Sequence, residues 1–226
     1  MRTLERLLNE GLAQFGFKRL TNKLFYYRYK DIMITICIEC PTGLTYVWFS
    51  IIPLYMPCPG FIHFAYGNRF NTMYPDCHII PKDAENHVIH EYCTSLLLHL
   101  KEELLPRAKR LATAKELYER SMRASKPFRG SDERYLMCDP ERMRRLCLYS
   151  GLCAGMYQEA EKVAEKYIRH VRGSCKYLSV ESRNRRIEET EAILYLLKNK
   201  RYAEIEDMIR RNTEENLSLF NLSYSC

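Results

Sequence analysis

Apolar residues change their spacing twice along this chain. Leu4, Leu7, Leu8, Leu12 and Phe15 fall on one stripe of a helix, Ile32, Ile34, Ile36 and Ile38 alternate strictly, and helical spacing returns from about Val88 to the end. A 3.6-residue period buries one side of a helix and a two-residue period buries one face of a strand. The chain therefore reads as α+β: an N-terminal helix, an antiparallel sheet backed by helices, and a helical segment after it.

Thr3 is placed as the N-cap of the first helix, and Gly16 supplies the C′ residue that ends it before Phe17. Leu24 to Tyr29, Ile32 to Cys40 and Tyr46 to Ile52 are rich in β-branched and aromatic side chains and read as strands. Lys30-Asp31 and Pro41-Thr42-Gly43 are turn-length, so these three pair as a meander, with Phe61 to Tyr66 as a candidate fourth strand. On the second strand only the isoleucine face demands full burial; Met33, Thr35, Cys37 and Glu39 share the other. Gly67 to Glu85 reads as a long irregular connection.

Val88, Tyr92, Leu96, Leu100 and Leu104 recur every four residues until Pro106 breaks or restarts the helix, and a further run covers Leu111, Ala114, Leu117, Tyr118 and Met122. The breakers Pro127 and Gly130 mark residues 126–139 as a linker, which divides the chain into an α+β sheet domain at 1–125 and a helical segment at 140–226. That segment holds a faint repeat. Setting Tyr157 against Tyr202 brings Leu148 onto Ile193, Leu152 onto Leu197, Ala160 onto Ile205 and Val163 onto Met208, with turns at Ala154 to Met156 and Asn199 to Arg201. A small or polar turn, an aromatic, then an amphipathic helix resembles tetratricopeptide-like hairpins, whose concave faces bind peptides. The tail Leu217 to Leu222 alternates and reads as a docked strand or a disordered end.

A second resemblance lies at the other end. Gly16-Phe17-Lys18-Arg19, a short gap, Phe25 to Arg28 and then the alternating strand resemble the start of the bacterial family called domain of unknown function 4304. The resemblance covers roughly residues 1 to 125 and implies a small α+β domain, an amphipathic helix followed by an antiparallel sheet with helices behind it. It implies no activity and no catalytic residues.

Composition narrows the class of protein. Of 226 residues, 46% are hydrophobic and 28% charged, which suits a folded globular chain. The net charge of +7 is a mild bias, because 28 acidic residues are spread among the 35 Lys and Arg. Met1 to Leu12 carries Glu5 and Glu10 and has no apolar core of signal-peptide length, and Pro41, Pro53, Pro57 and Pro59 interrupt the longest uncharged stretch. A soluble, cytoplasmic protein with no membrane association is expected. Ten irregularly spaced cysteines in a chain of this length then read as reduced thiols.

Chemistry is sparsely signalled. Cys37 and Cys40 form a C-x-x-C, but residues three apart on a strand point to opposite faces, and Cys58, Cys77 and His78 join them in a zinc site only if loops converge. His87, His90 and Glu91 share one side of a probable helix and are the candidate metal ligands, in an order that is not H-E-x-x-H. His63 and His99 read as partly buried, satisfied histidines. Neither G-x-S-x-G nor a Gly-rich phosphate loop occurs, and no cofactor is expected. Arginine clusters at 107–110, 142–145 and 183–186 are each diluted by acidic neighbours.

The chain holds seventeen tyrosines, nine phenylalanines and Trp48, and the sheet region has many of these aromatics, so one sheet face is expected to present them after the other is buried. The leading expectation is a bacterial, non-enzymatic, regulatory or immunity-type protein that binds another protein through that face or through the hairpins. Tyr27, Tyr46, Trp48, Tyr157 and Tyr202 are the candidate contact residues. A metal-dependent hydrolase or cysteine-using enzyme is the alternative, nucleic-acid binding through the arginine clusters a second one, and a homo-oligomer remains open.

Overall fold

A computed structural model describes residues 2–57, 66–124, 140–175 and 177–222. It has the expected α+β layout and forms two compact units, one holding residues 2–53 and 66–112, the other residues 54–57, 113–124 and 140–222. Residues 114–124, read with the sheet segment, group with the helical unit. Unit membership follows packing, which a composition break in the sequence does not report. The linker at 126–139 and most of the candidate strand from Phe61 lie outside the described residues.

In the first unit, α1 (Arg2–Ala13) buries Leu4, Leu8, Gly11 and Leu12. Thr3 lies inside this helix, not at its cap, and its hydroxyl donates to Asn86 Oδ1. The end is as the sequence predicts: Gly16 has φ +83°, and the amides of Gly16 and Phe17 donate to the carbonyls of Ala13 and Leu12, a closure that favours glycine because it has no Cβ. Strands β1 (Lys18–Thr21), β2 (Leu24–Tyr29), β3 (Ile32–Glu39), β4 (Leu44–Pro53) and β5 (Tyr66–Arg69) follow in spatial order as an antiparallel sheet, and β6 (Ile80–Pro81) pairs with β4. The polar β1 has no hydrophobic period by which to find it.

The register fixes which residues share a face. Ile32, Ile34 and Ile36 stand opposite Tyr29, Tyr27 and Phe25 on one side and Pro53, Ile51 and Phe49 on the other. All four isoleucines are buried. Helical cover is visible in the Lys109 ammonium, 5.7 Å from the Tyr27 ring centroid and 5.6 Å from that of Tyr29. The opposite face was expected to need little burial, yet Met33, Thr35, Ser50 and Ile52 are buried too. Only the end carrying Cys37 and Glu39 is half-exposed, so the two-residue period marks the more apolar face and not the sole buried one.

After α2 (Phe70–Met73), the long helix runs as α3 (Asn86–His99), a π-helical stretch (Leu100–Leu104) and α4 (Leu105–Arg110). Its buried stripe is Ile89, Tyr92, Cys93, Leu96, Leu100 and Leu104, and Val88, expected inside, is exposed. Proline lacks an amide hydrogen, and the widened turn ahead of Pro106 lets the helix pass it without a break.

The second unit holds α5 (Ala114–Ala124), α6 (Pro140–Cys153), α7 (Tyr157–Ser174), α8 (Val180–Lys198) and α9 (Tyr202–Leu219). The α6–α7 and α8–α9 turns have the same backbone. Gly155 has φ +70° and Lys200 φ +54°, and Met156 and Arg201 follow with ψ 59° in both. In the first turn the amides of Gly155 and Met156 reach back to Leu152 and Gly151; in the second those of Lys200 and Arg201 reach Leu197 and Leu196. Residues 54–57 are held by α9: the Asn216 side-chain amide donates to the carbonyls of Leu54 (2.6 Å) and Met56 (2.7 Å), and Asn212 donates to that of Tyr55 (3.1 Å). The Tyr55 hydroxyl lies 2.7 Å from Ser150 Oγ. The tail read as a strand or loose end is the close of α9, with Phe220 buried, Asn221 at φ +54°, and the Leu222 amide on the Leu217 carbonyl. Among the described residues, no helix is long and apolar enough to cross a membrane.

Candidate functional site

The candidate metal ligands His87, His90 and Glu91 do not bring their donor atoms together. His87, His90 and Glu91 are exposed on the first turns of α3, and His87 faces Glu85 at 3.2 Å. Cys37 is half-buried on β3; burial first, then the Glu39 carboxylate and Cys40, push its thiol pKa up. Cys58 and His63 lie outside the described residues.

A different cluster forms where the turn after α2 meets the end of α3. The His99 imidazole Nε2 lies 2.9 and 2.8 Å from the two carboxylate oxygens of Asp76. Its ring stacks on Tyr74 at 3.8 Å between centroids and 10° between planes, and the Tyr74 hydroxyl donates to Glu103 at 3.0 Å. Glu103 in turn faces Arg107 at 3.8 Å. The helix supplies His99, Glu103 and Arg107 at successive four-residue steps, which keeps them on one side through the π turn. Burial acts to raise the Asp76 pKa, but hydrogen bonds from His99, its own backbone and Ser95, with the His99 charge, hold it below the ordinary carboxylate value.

Cys77, next in sequence, is fully buried, and desolvation, with Asp76 and Cys93 beside it, pushes its thiol to about 12. Cys93 is likewise raised to about 12 by burial. Donor atoms of Asp76, Cys77 and His99 all lie within 4.8 Å of one another. By sequence alone Cys77 is a conditional zinc ligand and His99 a partly buried, satisfied histidine. The missed signal is the Pro75-Asp76-Cys77 loop, because nothing in periodicity tells which helix end a loop meets.

The aromatic candidates separate. Tyr27 lies on the isoleucine face, packed on Phe17 at 5.6 Å and beneath Lys109. Tyr46 and Trp48 lie on the opposite face of β4 and flank Arg69 of β5, whose guanidinium carbon is 4.0 Å from the Tyr46 ring and 4.8 Å from the Trp48 ring. Glu39 completes this ladder: Trp48 Nε1 donates to its Oε2 at 2.8 Å, and Arg69 Nη2 donates to the same oxygen at 3.1 Å. All four side chains are half-exposed. Register explains the convergence, since Trp48 stands opposite Cys37 and Arg69, and Tyr46 opposite Glu39. Arg69 was not singled out from sequence; a lone arginine in Gly67-Asn68-Arg69 carries no pattern.

In the second unit Tyr157 and Tyr202 stack on one another, 4.2 Å between centroids and 7° between planes, joining the first residues of α7 and α9. Glu141, buried inside α6, meets Arg186 and the Tyr167 hydroxyl, and Arg145 pairs with Glu189 at 3.2 Å. Two of the arginine clusters thus spend part of their charge internally. A cavity of about 320 Å³ opens between α5, α6 and α7, with Arg144, Lys166, Arg169 and His170 around Cys147 and Val163. Comparison of the chain with protein-family models, with curated proteins and with solved structures found no match.

Proposed function

We propose that this chain is a protein-binding module of the bacterial cytosol, without catalytic duty of its own, and that Tyr46, Trp48 and Arg69 form its contact surface for an acidic segment of a partner protein. The observation that carries the reading is the ladder on β4 and β5. It presents two aromatic rings and a guanidinium, the residue types that dominate binding energy at protein interfaces, on a rigid sheet. Arg69 donates to Glu39 through Nη2 while its side chain stays one-third exposed (33%). A partner carboxylate would add to that pairing, and the net charge of +7 favours such a partner at long range.

The helical unit enters the same reading as two copies of one hairpin, supported by the matching turns at Gly155 and Lys200 and by the stack of Tyr157 on Tyr202. The enzyme alternative finds weaker support: Cys77, Cys93 and Cys147 are buried with raised pKa values, and a protonated thiol is a poor nucleophile.

The test uses the full chain as bait in a bacterial lysate, side by side with Arg69→Ala and Trp48→Ala. One stoichiometric partner, held at low salt and lost with either substitution while circular dichroism is unchanged, is the expected result. Capture that ignores both substitutions, or no stoichiometric capture at any salt, overturns the reading. Trp48 is the sole tryptophan, so its emission reports the contact directly when the partner is titrated.

A further inference from the structure

We infer that Asp76, Cys77 and His99 bind one divalent transition-metal ion of the zinc type. This inference is independent of the protein-binding reading. Three donors of different chemistry, a carboxylate oxygen, a thiol sulfur and an imidazole nitrogen, lie within 4.8 Å of each other. Ligand atoms on a tetrahedral ion at about 2.0–2.3 Å stand roughly 3.3–3.8 Å apart. His99 Nε2 and the nearer Asp76 oxygen are 2.8 Å apart, a hydrogen-bond length, so an entering ion replaces that hydrogen bond and opens this edge by about 0.5–1 Å.

Donor softness selects the ion. Sulfur with imidazole suits zinc and its neighbours, whereas magnesium and calcium require oxygen shells. Burial falls off across the site, from a fully buried Cys77 to a His99 side chain 25% exposed and an Asp76 side chain 53% exposed. A fourth position therefore opens toward solvent, where water completes the tetrahedron. On binding, Cys77 enters as thiolate and its proton passes to solvent.

The surroundings are those of a supported ligand set. Tyr74 stacks on the His99 ring and fixes its plane, and is itself anchored by its hydroxyl on Glu103. The Ser95 side chain hydrogen-bonds Asp76. Such outer contacts orient first ligands and raise affinity. The alternative occupant of this geometry is nothing at all, an Asp–His hydrogen bond beside a buried thiol, and the two cases differ in whether sulfur meets metal.

The experiment takes the full chain, strips metal with a chelator, and titrates cobalt(II). The expected result is one equivalent bound, with the visible bands of tetrahedral cobalt and an ultraviolet sulfur-to-cobalt charge-transfer band, displaced by zinc. Cys77→Ser removes the charge-transfer band. Asp76→Asn, at an exposed side chain that folding tolerates, and His99→Gln each weaken binding at least about tenfold. The inference is overturned if the wild-type chain gives no charge-transfer band, if the band survives Cys77→Ser, or if Asp76→Asn and His99→Gln leave affinity unchanged. Partner capture that stays intact in Asp76→Asn keeps this outcome separate from that of the ladder.

Discussion

Replacing Gly67 with alanine puts the sheet that carries the ladder under direct test. A Cβ at this position would stand 2.2 Å from the Phe49 carbonyl oxygen, 2.7 Å from Ser50 Cα and 2.9 Å from Ser50 Oγ. The first two are backbone atoms of the paired strand and cannot rotate aside. Ordinary carbon-to-oxygen contact begins near 3.3 Å, so β5 must retreat by about 1 Å. Such overpacking costs about 1–3 kcal/mol, each ladder hydrogen bond lost adds about 1, and alanine returns about 0.5–1 by restricting the unfolded chain. A net loss of about 3 kcal/mol is expected. Because Arg69 pairs opposite Trp48 on the same two strands, the retreat also lifts the guanidinium off both rings. Urea unfolding followed by Trp48 emission reads both effects, since that tryptophan lies in the sheet unit. Gly43→Ala is the control: φ is +84° there but nothing lies within 4 Å, so only the left-handed backbone penalises alanine, by about 1–2 kcal/mol. Should Gly67→Ala prove no more costly than Gly43→Ala, with native Trp48 emission unmoved, the steric argument fails.

Four further outcomes are expected. Glu141→Gln leaves Arg186 and the Tyr167 hydroxyl without their buried carboxylate and lowers stability by about 3 kcal/mol, read by thermal unfolding of the helical unit. Asn216→Ala orphans the carbonyls of Leu54 and Met56 and costs about 1–3 kcal/mol, while Asn216→Asp, which turns an acceptor toward both, costs more in the same assay. Lys200→Gly relieves a left-handed residue and stabilises by about 1 kcal/mol, whereas Gly155→Lys destabilises by a similar amount, measured as opposite shifts in urea midpoint. Cys147 is raised to about 11, chiefly by burial and against opposing contributions from Ser121 and Lys166. The folded state therefore holds its proton more tightly than the unfolded one, so its stabilising contribution is complete below about pH 8.5 and is lost as pH rises toward 11. Unfolding midpoints across that window should fall more steeply for the native chain than for Cys147→Ser.

Legibility followed how local the physics was. The Gly16 closure, the β2 bounds, the start of β3 and the turns at 154–156 and 199–201 depend on residues within a few positions of one another, and each was readable from spacing and turn chemistry. Burial on the second face of β3 depends on what lies over Met33 and Thr35, which alternation along one strand cannot reveal. Tyr92, Leu96, Leu100 and Leu104 are buried as their four-residue spacing predicts, and only the first position differs, Ile89 standing inside in place of Val88, because both are apolar and only packing selects between neighbours. Sites follow the same rule with greater force. His87, His90 and Glu91 looked convergent because a helix brings i, i+3 and i+4 together, yet their first turns face outward. Asp76 and His99 are 23 positions apart, and Glu39 and Arg69 30 apart, and in both pairs strand register or loop path makes the meeting. Local periodicity thus finds the surfaces on which chemistry can stand, while the partner of each charged or ligating side chain is chosen by the topology. The Asp76–His99 cluster lies where the short turn after α2 meets the end of α3, the Glu39–Arg69 pair where strands meet across β4, and the Glu141–Arg186–Tyr167 cluster between helices of the second unit, so contacts between elements are the places to look when no motif is present.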